Sequence, residues 1–330
     1  MKSLYTFNSS AKKKVPHAFI ITLLLILVVE TGLGILYHFK LLRSGIDVTW
    51  EQIDKIENMR FDSLNEVVII GDSKVANLAN LESPPRTINL STNLWTTMAG
   101  QYFLLKRFYA QGAKPKLCVL IFDNNIWTND MRTTKEYSKA IRYFFRPLAS
   151  INNMIDLLFK AKRPDLAWHM FIQGIIPSMR LKDQIFMLSG KLKVALLSDI
   201  WMNRGINKAT KEENIKQFIR TEPADLAPLA KYNFEKICEL CRSNNTKLLV
   251  LESYIPESKL KSELKHLEMV KGLKDIMQRQ KDVVQVYITR RFVYPNEAFG
   301  GDGFHLINES KKDIFVKEIN GIIQSFNSKI

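Results

Sequence analysis

Ser73 follows the apolar run Val67-Val68-Ile69-Ile70 through Gly71-Asp72. A serine delivered at the end of a buried strand sits on a sharp turn, at the N-terminus of the helix that follows. Its hydroxyl becomes a useful nucleophile when a base stands within hydrogen-bond reach. Asp302-Gly303-Phe304-His305-Leu306 supplies such a base from the far end of the chain. An Asp three residues before a His can hold the imidazole by its Nδ1–H and leave Nε2 to take the serine proton. Read singly, Gly-Asp-Ser also describes a helix cap, and Asp-x-x-His a capped turn with a surface histidine. The strand before the serine, and the position of the histidine one element from the end, together point to serine-based acyl transfer.

The intervening pattern has to bring these pieces together. Val67–Ile70 and Leu117–Phe122 read as buried parallel strands, and Arg86–Leu90 as a short strand between them. Lys74–Leu81 and Thr97–Gln111 are the helices that connect them, the second closed by Gly112. Strand and helix alternation resumes with a helix over Leu229–Arg242, a strand at Lys247–Glu252, a helix over Leu260–Gln280 and a strand at Val283–Ile288. A helix over Ser310–Phe326 closes the chain, with Asn308 or Ser310 as its cap. This alternation predicts an α/β fold with a doubly wound parallel sheet. Ligands collect at the carboxyl ends of such strands. Asp72 and Ser73, then Asn89, Ser91 and Asn93, then Asp123, Asn124 and Asn125, and finally Asp302 and His305 all fall on that edge.

Gly-Asp-Ser after the first strand, Asn89-Leu90-Ser91 after the second, an Asn after the third and Asp-x-x-His before the last helix resemble the four blocks of the SGNH, or GDSL-type, hydrolase superfamily. The likeness covers residues 66–128 and 246–326. It is strongest to the membrane-anchored extracytoplasmic branch, which includes polysaccharide O-acetylation proteins and those that D-alanylate teichoic acid. The resemblance implies a flavodoxin-like three-layer fold, with Ser73 as nucleophile, His305 as base and Asp302 as its orienter. It implies an oxyanion hole made of the Ser73 N–H, the N–H of Ser91 and the side chain of Asn125 or Asn124. It implies no metal and no organic cofactor. The implied partners are an acylated cell-surface polysaccharide or lipid-linked glycan, and a membrane-embedded acyltransferase as acyl donor. The chain departs from the family pattern at Lys74, where Leu is expected, at Ser91, where Gly is usual, and at Asp123-Asn124-Asn125, where Gly-x-Asn is expected. The same fold also serves non-catalytic glycan-binding or scaffold proteins. Two roles are open for Lys74: a solvated helix residue, or a contact for an anionic substrate. Asp72 is expected to accept backbone hydrogen bonds in the turn.

Residues 18–39 (AFIITLLLILVVETGLGILYHF) are long and apolar enough to cross a bilayer. Lys12, Lys13 and Lys14 precede them, which puts residues 1–17 in the cytoplasm and the rest outside. A cleaved signal peptide is the rival reading, but apolar residues resume at Ile35, Leu36 and Tyr37 and favour a retained anchor. Glu30 is costly inside the span and suits a partner helix. Residues 40–65 then read as a juxtamembrane stalk and 66–330 as the α/β domain. That domain carries a helical insertion at about 130–225, rich in aromatic and basic residues. Trp168 and Trp201 in the insertion read as core, with stacking on sugar rings as the other option. The net charge of +15 attracts anionic glycan or lipid headgroups, while no nucleic-acid motif is found. The three cysteines read as packing thiols. Cys238-x-x-Cys241 lies at the end of a helix, whereas redox pairs sit at the start, where the thiol pKa is lowered.

Overall fold

All residues of strand β1, Val67–Gly71, are buried. A strand with no polar face needs cover on both sides, which a parallel sheet between two helix layers provides. The computed structural model has that arrangement. It describes residues 17–38, 48–59, 66–76, 78, 86–92, 97–128, 151–160, 162, 164, 168, 224–260, 270–287, 292–301 and 303–327. β1 pairs in parallel with β2 (Thr87–Asn89) on one side and β3 (Leu117–Phe122) on the other. β3 continues to β4 (Lys247–Glu252), and β4 to β5 (Val284–Tyr287), again in parallel. The order across this five-stranded sheet is β2-β1-β3-β4-β5.

The α-helices among the described residues are α1 (His17–His38), α2 (Val48–Asn58), α3 (Ser73–Ala76), α4 (Thr97–Ala110), α5 (Ile151–Lys160), α6 (Pro228–Ser243), α7 (Leu273–Arg279) and α8 (Glu309–Asn327). Successive strand residues point to opposite faces. Val68, Ile70, Cys118, Leu120 and Phe122 accordingly meet Leu104 and Phe108 of α4 and Phe234 and Ile237 of α6. Val67, Ile69, Val119 and Ile121 meet Phe315, Ile319 and Ile323 of α8 on the other side. Asn308 caps α8 as expected, its Oδ1 accepting from Lys311 N at 3.1 Å.

Several elements differ from the sequence expectation. The helix after Ser73 spans Ser73–Ala76. The helix expected over Leu260–Gln280 is interrupted: Val270–Lys271 pairs as a short strand with Ala224–Asp225, and α7 starts only at Leu273. Gly272 at φ +83° makes the break, a left-handed conformation that no helix interior accepts. Of the expected insertion, α5 is described, and most of the remainder, Trp201 included, lies outside the described residues. Trp168 is 62% exposed, so the core reading does not hold for it. Cys118, Cys238 and Cys241 are buried free thiols, and burial pushes the Cys118 and Cys238 thiols well up. They are packing residues.

α1 contains an 18-residue stretch, Phe19–Leu36, apolar and long enough to span a membrane, and none of it is buried in the protein. Within the segment 40–65, α2 packs onto the domain. Its Ile53 and Ile56 are each 1% exposed and join the core beneath α4.

At the end of β1 the backbones close in. A Cβ on Gly71 would stand 2.2 Å from the Ile121 carbonyl oxygen of β3 and 3.2 Å from Ser91 Oγ. Only glycine fits there without displacing backbone. Gly71→Ala is therefore expected to cost about 1–3 kcal/mol through overpacking. Urea denaturation measures this, and an unchanged midpoint would contradict the close approach.

Candidate active site

The carboxyl end of β1 is fixed from several directions. Gln101 of α4, fully buried, clamps Gly71 at both backbone groups: its Nε2 donates to the carbonyl at 2.8 Å and its Oε1 accepts from the N–H at 3.1 Å. Asp72 then turns the chain. Its Oδ1 accepts from Lys74 N at 2.9 Å, and its Oδ2 from Asp123 N, across at the end of β3, at 2.7 Å. This is the backbone-accepting role expected for Asp72. The carbonyl of Asp72 takes the N–H groups of Val75 and Ala76 and starts α3, with Ser73 as its first residue.

His305 comes from the other end of the chain on a tight loop. Phe299 and Leu306 form an antiparallel bridge, and Gly300 N donates to the His305 carbonyl at 2.8 Å. Gly303, at φ +64°, makes the left-handed turn just before the histidine. Residues separated by 232 positions thereby meet: His305 Nε2 lies 3.0 Å from Ser73 Oγ, and the contact is partly buried. That is hydrogen-bond distance. An imidazole in this position can accept the serine proton as the oxygen attacks a carbonyl carbon.

Tyr254 links the two loops from below. Its hydroxyl accepts from Leu306 N, next to the histidine, at 3.2 Å and donates to the carbonyl of Lys74, next to the serine, at 3.4 Å. Its ring packs edge-on to Phe315 of α8 and is 2% exposed. Nothing in the sequence marks Tyr254, because its contacts are long-range and fall between elements.

Lys74 occupies neither of the positions foreseen for it. The side chain is fully buried, with Nζ 2.7 Å from Asp123 Oδ2 and 2.9 Å from the Tyr254 carbonyl. The ammonium also sits 4.3 Å from the centre of the Phe304 ring, which stands edge-on to the His305 ring. A charge so enclosed is retained only when paired and hydrogen-bonded. The chain meets that need with a carboxylate, a carbonyl and an aromatic face.

The cluster holds two carboxylates around one lysine. Burial pushes the Asp72 carboxyl up to about 6; the Lys74 ammonium pulls against this, and the Asp123 carboxylate adds to it. Folding therefore favours protonated Asp72. Its contribution to stability is fully present below the unfolded value of 3.8 and is lost as pH rises through about 6. A 13C titration of the Asp72 carboxyl should show a midpoint near 6, and a midpoint near 4 would contradict this environment.

The second loop is tied to the same site. Asn89 Nδ2 donates to the Val75 carbonyl of α3 at 3.1 Å. Its Oδ1 accepts from Ser91 N at 3.0 Å, so the amide expected to face an oxyanion is engaged within its own turn. The Ser91 hydroxyl is buried over Gly71 and has no hydrogen-bond partner among the described residues. Asn124 and Asn125 begin the short 3-10 turn Asn124–Trp127 directly after β3, at the same sheet edge. Asp302 and Asn93 lie outside the described residues. Among the described residues no group of His, Cys, Asp and Glu has the makings of a metal site. No protein-family model and no curated protein matches this chain.

Proposed function

We propose that this protein is a serine esterase or O-acyltransferase of the SGNH type, acting outside the cytoplasm on ester-linked acyl groups of a cell-surface glycan. The observation that carries the reading is the 3.0 Å approach of His305 Nε2 to Ser73 Oγ at the carboxyl edge of the sheet. The strand order 2-1-3-4-5 is the flavodoxin-like order, and its reversal between β1 and β3 is where such sheets bind ligands. Ser73 follows β1 and Asp123 follows β3, on the two sides of that point. The glycan rests on the resemblance and on the N-terminal apolar helix.

In this mechanism the Ser73 oxygen bonds to the ester carbonyl carbon while its proton moves to His305 Nε2. The carbonyl oxygen gathers the negative charge. The Ser73 N–H at the start of α3 is one donor for it, with an Asn124 or Asn125 side chain as the second. Collapse breaks the bond to the leaving alkoxide, which takes the proton back from His305, and leaves an acyl group on Ser73. Water or a sugar hydroxyl then attacks the acyl carbon, with His305 again accepting the proton, and Ser73 is released. Asp302 would hold the imidazole by Nδ1–H.

A fluorophosphonate probe tests the site directly. The wild-type chain should form an adduct that maps to Ser73 and is absent in Ser73→Ala; no Ser73-dependent adduct would defeat the proposal. Turnover of a small aryl ester with and without a sugar acceptor then separates transfer from hydrolysis.

A further inference from the structure

We infer that the catalytic edge of the sheet faces the membrane surface, and that the substrate is an acyl ester borne on a bilayer-anchored molecule. This rests on the serine-enzyme reading above and names the substrate class for that site. The argument begins at α2. Thr49, in its first turn, is fully buried, and its hydroxyl hydrogen-bonds that of Thr92 at 2.9 Å. Thr92 lies just past the carboxyl end of β2, and its N–H donates to the Gly71 carbonyl, two residues before Ser73. From there α2 runs down the domain against the strand direction. Lys55 Nζ reaches the Asn89 carbonyl at 3.3 Å. Glu57 pairs with Arg107, near the far end of α4, at 3.2 Å. The first described residues after the apolar helix, those at the start of α2, therefore meet the domain at the Ser73–His305 edge.

Residues 39–47 separate α1 from α2, and covalent geometry limits their reach to about 35 Å whatever path they take. Strands of up to six residues put the two edges of the sheet about 20 Å apart. The opposite edge reaches the bilayer only if about 20 Å of the tether runs back along the domain, so attachment at one edge biases that edge toward the bilayer. A bilayer-anchored ester is then confined to the same thin layer as the nucleophile, which raises its effective concentration over that of a dissolved ester.

Two measurements on the full chain in lipid vesicles test this. A fluorophore is placed on Ile307→Cys, exposed two residues after His305, or on Lys114→Cys, exposed at the opposite edge before β3; the native thiols are buried. Energy transfer to an acceptor lipid should be clearly stronger from position 307. Equal or reversed transfer would overturn the orientation, with no enzyme activity needed. The second measurement inserts a 30-residue Glu-Ala-Ala-Ala-Lys spacer after Arg43, adding about 45 Å where helical. Ser73-dependent hydrolysis of a lipid-anchored aryl ester should fall at least tenfold, while that of its soluble counterpart stays unchanged. An equal response of both esters would sink the substrate assignment. Absence of Ser73-dependent turnover of even the soluble ester would instead defeat the serine-enzyme reading.

Discussion

Ser73→Ala is expected to lower kcat on a small aryl ester by about 10⁴-fold or more, and His305→Ala by a similar factor. The reasoning follows from the 3.0 Å contact between the two side chains. Without the hydroxyl there is no acyl-enzyme; without the imidazole, a hydroxyl of ordinary acidity must attack unaided. Each loss disables the same step, so the effects should not multiply. The double variant is expected within about threefold of the weaker single one, as for residues that act as a unit. KM should move little, because neither group is asked to bind the ground state. Multiplicative losses would mean that the two side chains work independently, and retained turnover in Ser73→Ala would place the chemistry elsewhere. Both substitutions remove partly exposed atoms, so urea midpoints should stay close to wild type, which separates loss of chemistry from loss of fold.

The Ser73–His305 pair is legible from the sequence because both members sit beside strong punctuation. Ser73 follows an apolar strand through Gly71, and His305 follows Gly303 shortly before a capped helix. The alternation of strands and helices also reads directly, since β-branched runs such as Val67–Ile70 have little other use than a buried parallel strand. What surrounds the pair was not legible. Lys74 looked like a surface residue because a lysine after a helix start normally is one; its burial depends on a carboxylate from β3 and a carbonyl past β4 that no local pattern announces. Tyr254 acts at separations of 52 and 180 residues and Gln101 at 30, each through a pair of hydrogen bonds to backbone. The segment 40–65 read as a stalk because α2 is polar on one side. Its other side carries Ile53 and Ile56, enough to dock it against the core. Gly272 shows the reverse case: a glycine inside an apparently helical run is tolerated by pattern but here takes a positive φ, between a short strand and the start of α7.

Lys74→Met is expected to destabilise the domain by about 3–5 kcal/mol, a large share of the 5–15 kcal/mol typical of a folded domain. Methionine matches the length of the lysine stem, so packing changes little and the loss is chiefly electrostatic. It removes the ammonium that neutralises Asp123 and leaves the Tyr254 carbonyl without that donor. Asp72 loses the charge that holds its own carboxyl down, so its protonation should shift further upward. The cost is that of stranding buried charge and does not measure what the ion pair is worth. The double variant Lys74→Met/Asp123→Asn should therefore recover at least half of the loss, and a double-mutant cycle in urea reads the coupling directly. Lys74→Arg should fail to restore stability despite keeping the charge. The Nζ site is closed by Asp123, the Tyr254 carbonyl and the Phe304 ring, and a planar fork of five donors does not fit where a compact ammonium does. A cost below about 1 kcal/mol for Lys74→Met would mean that the ammonium is hydrated rather than enclosed. The same pair joins the serine turn to the end of β3, and its Phe304 cover precedes His305. Ser73 labelling should thus slow in Lys74→Met even below the temperature at which the domain begins to unfold, because a buried charge positions the Ser73 and His305 side chains.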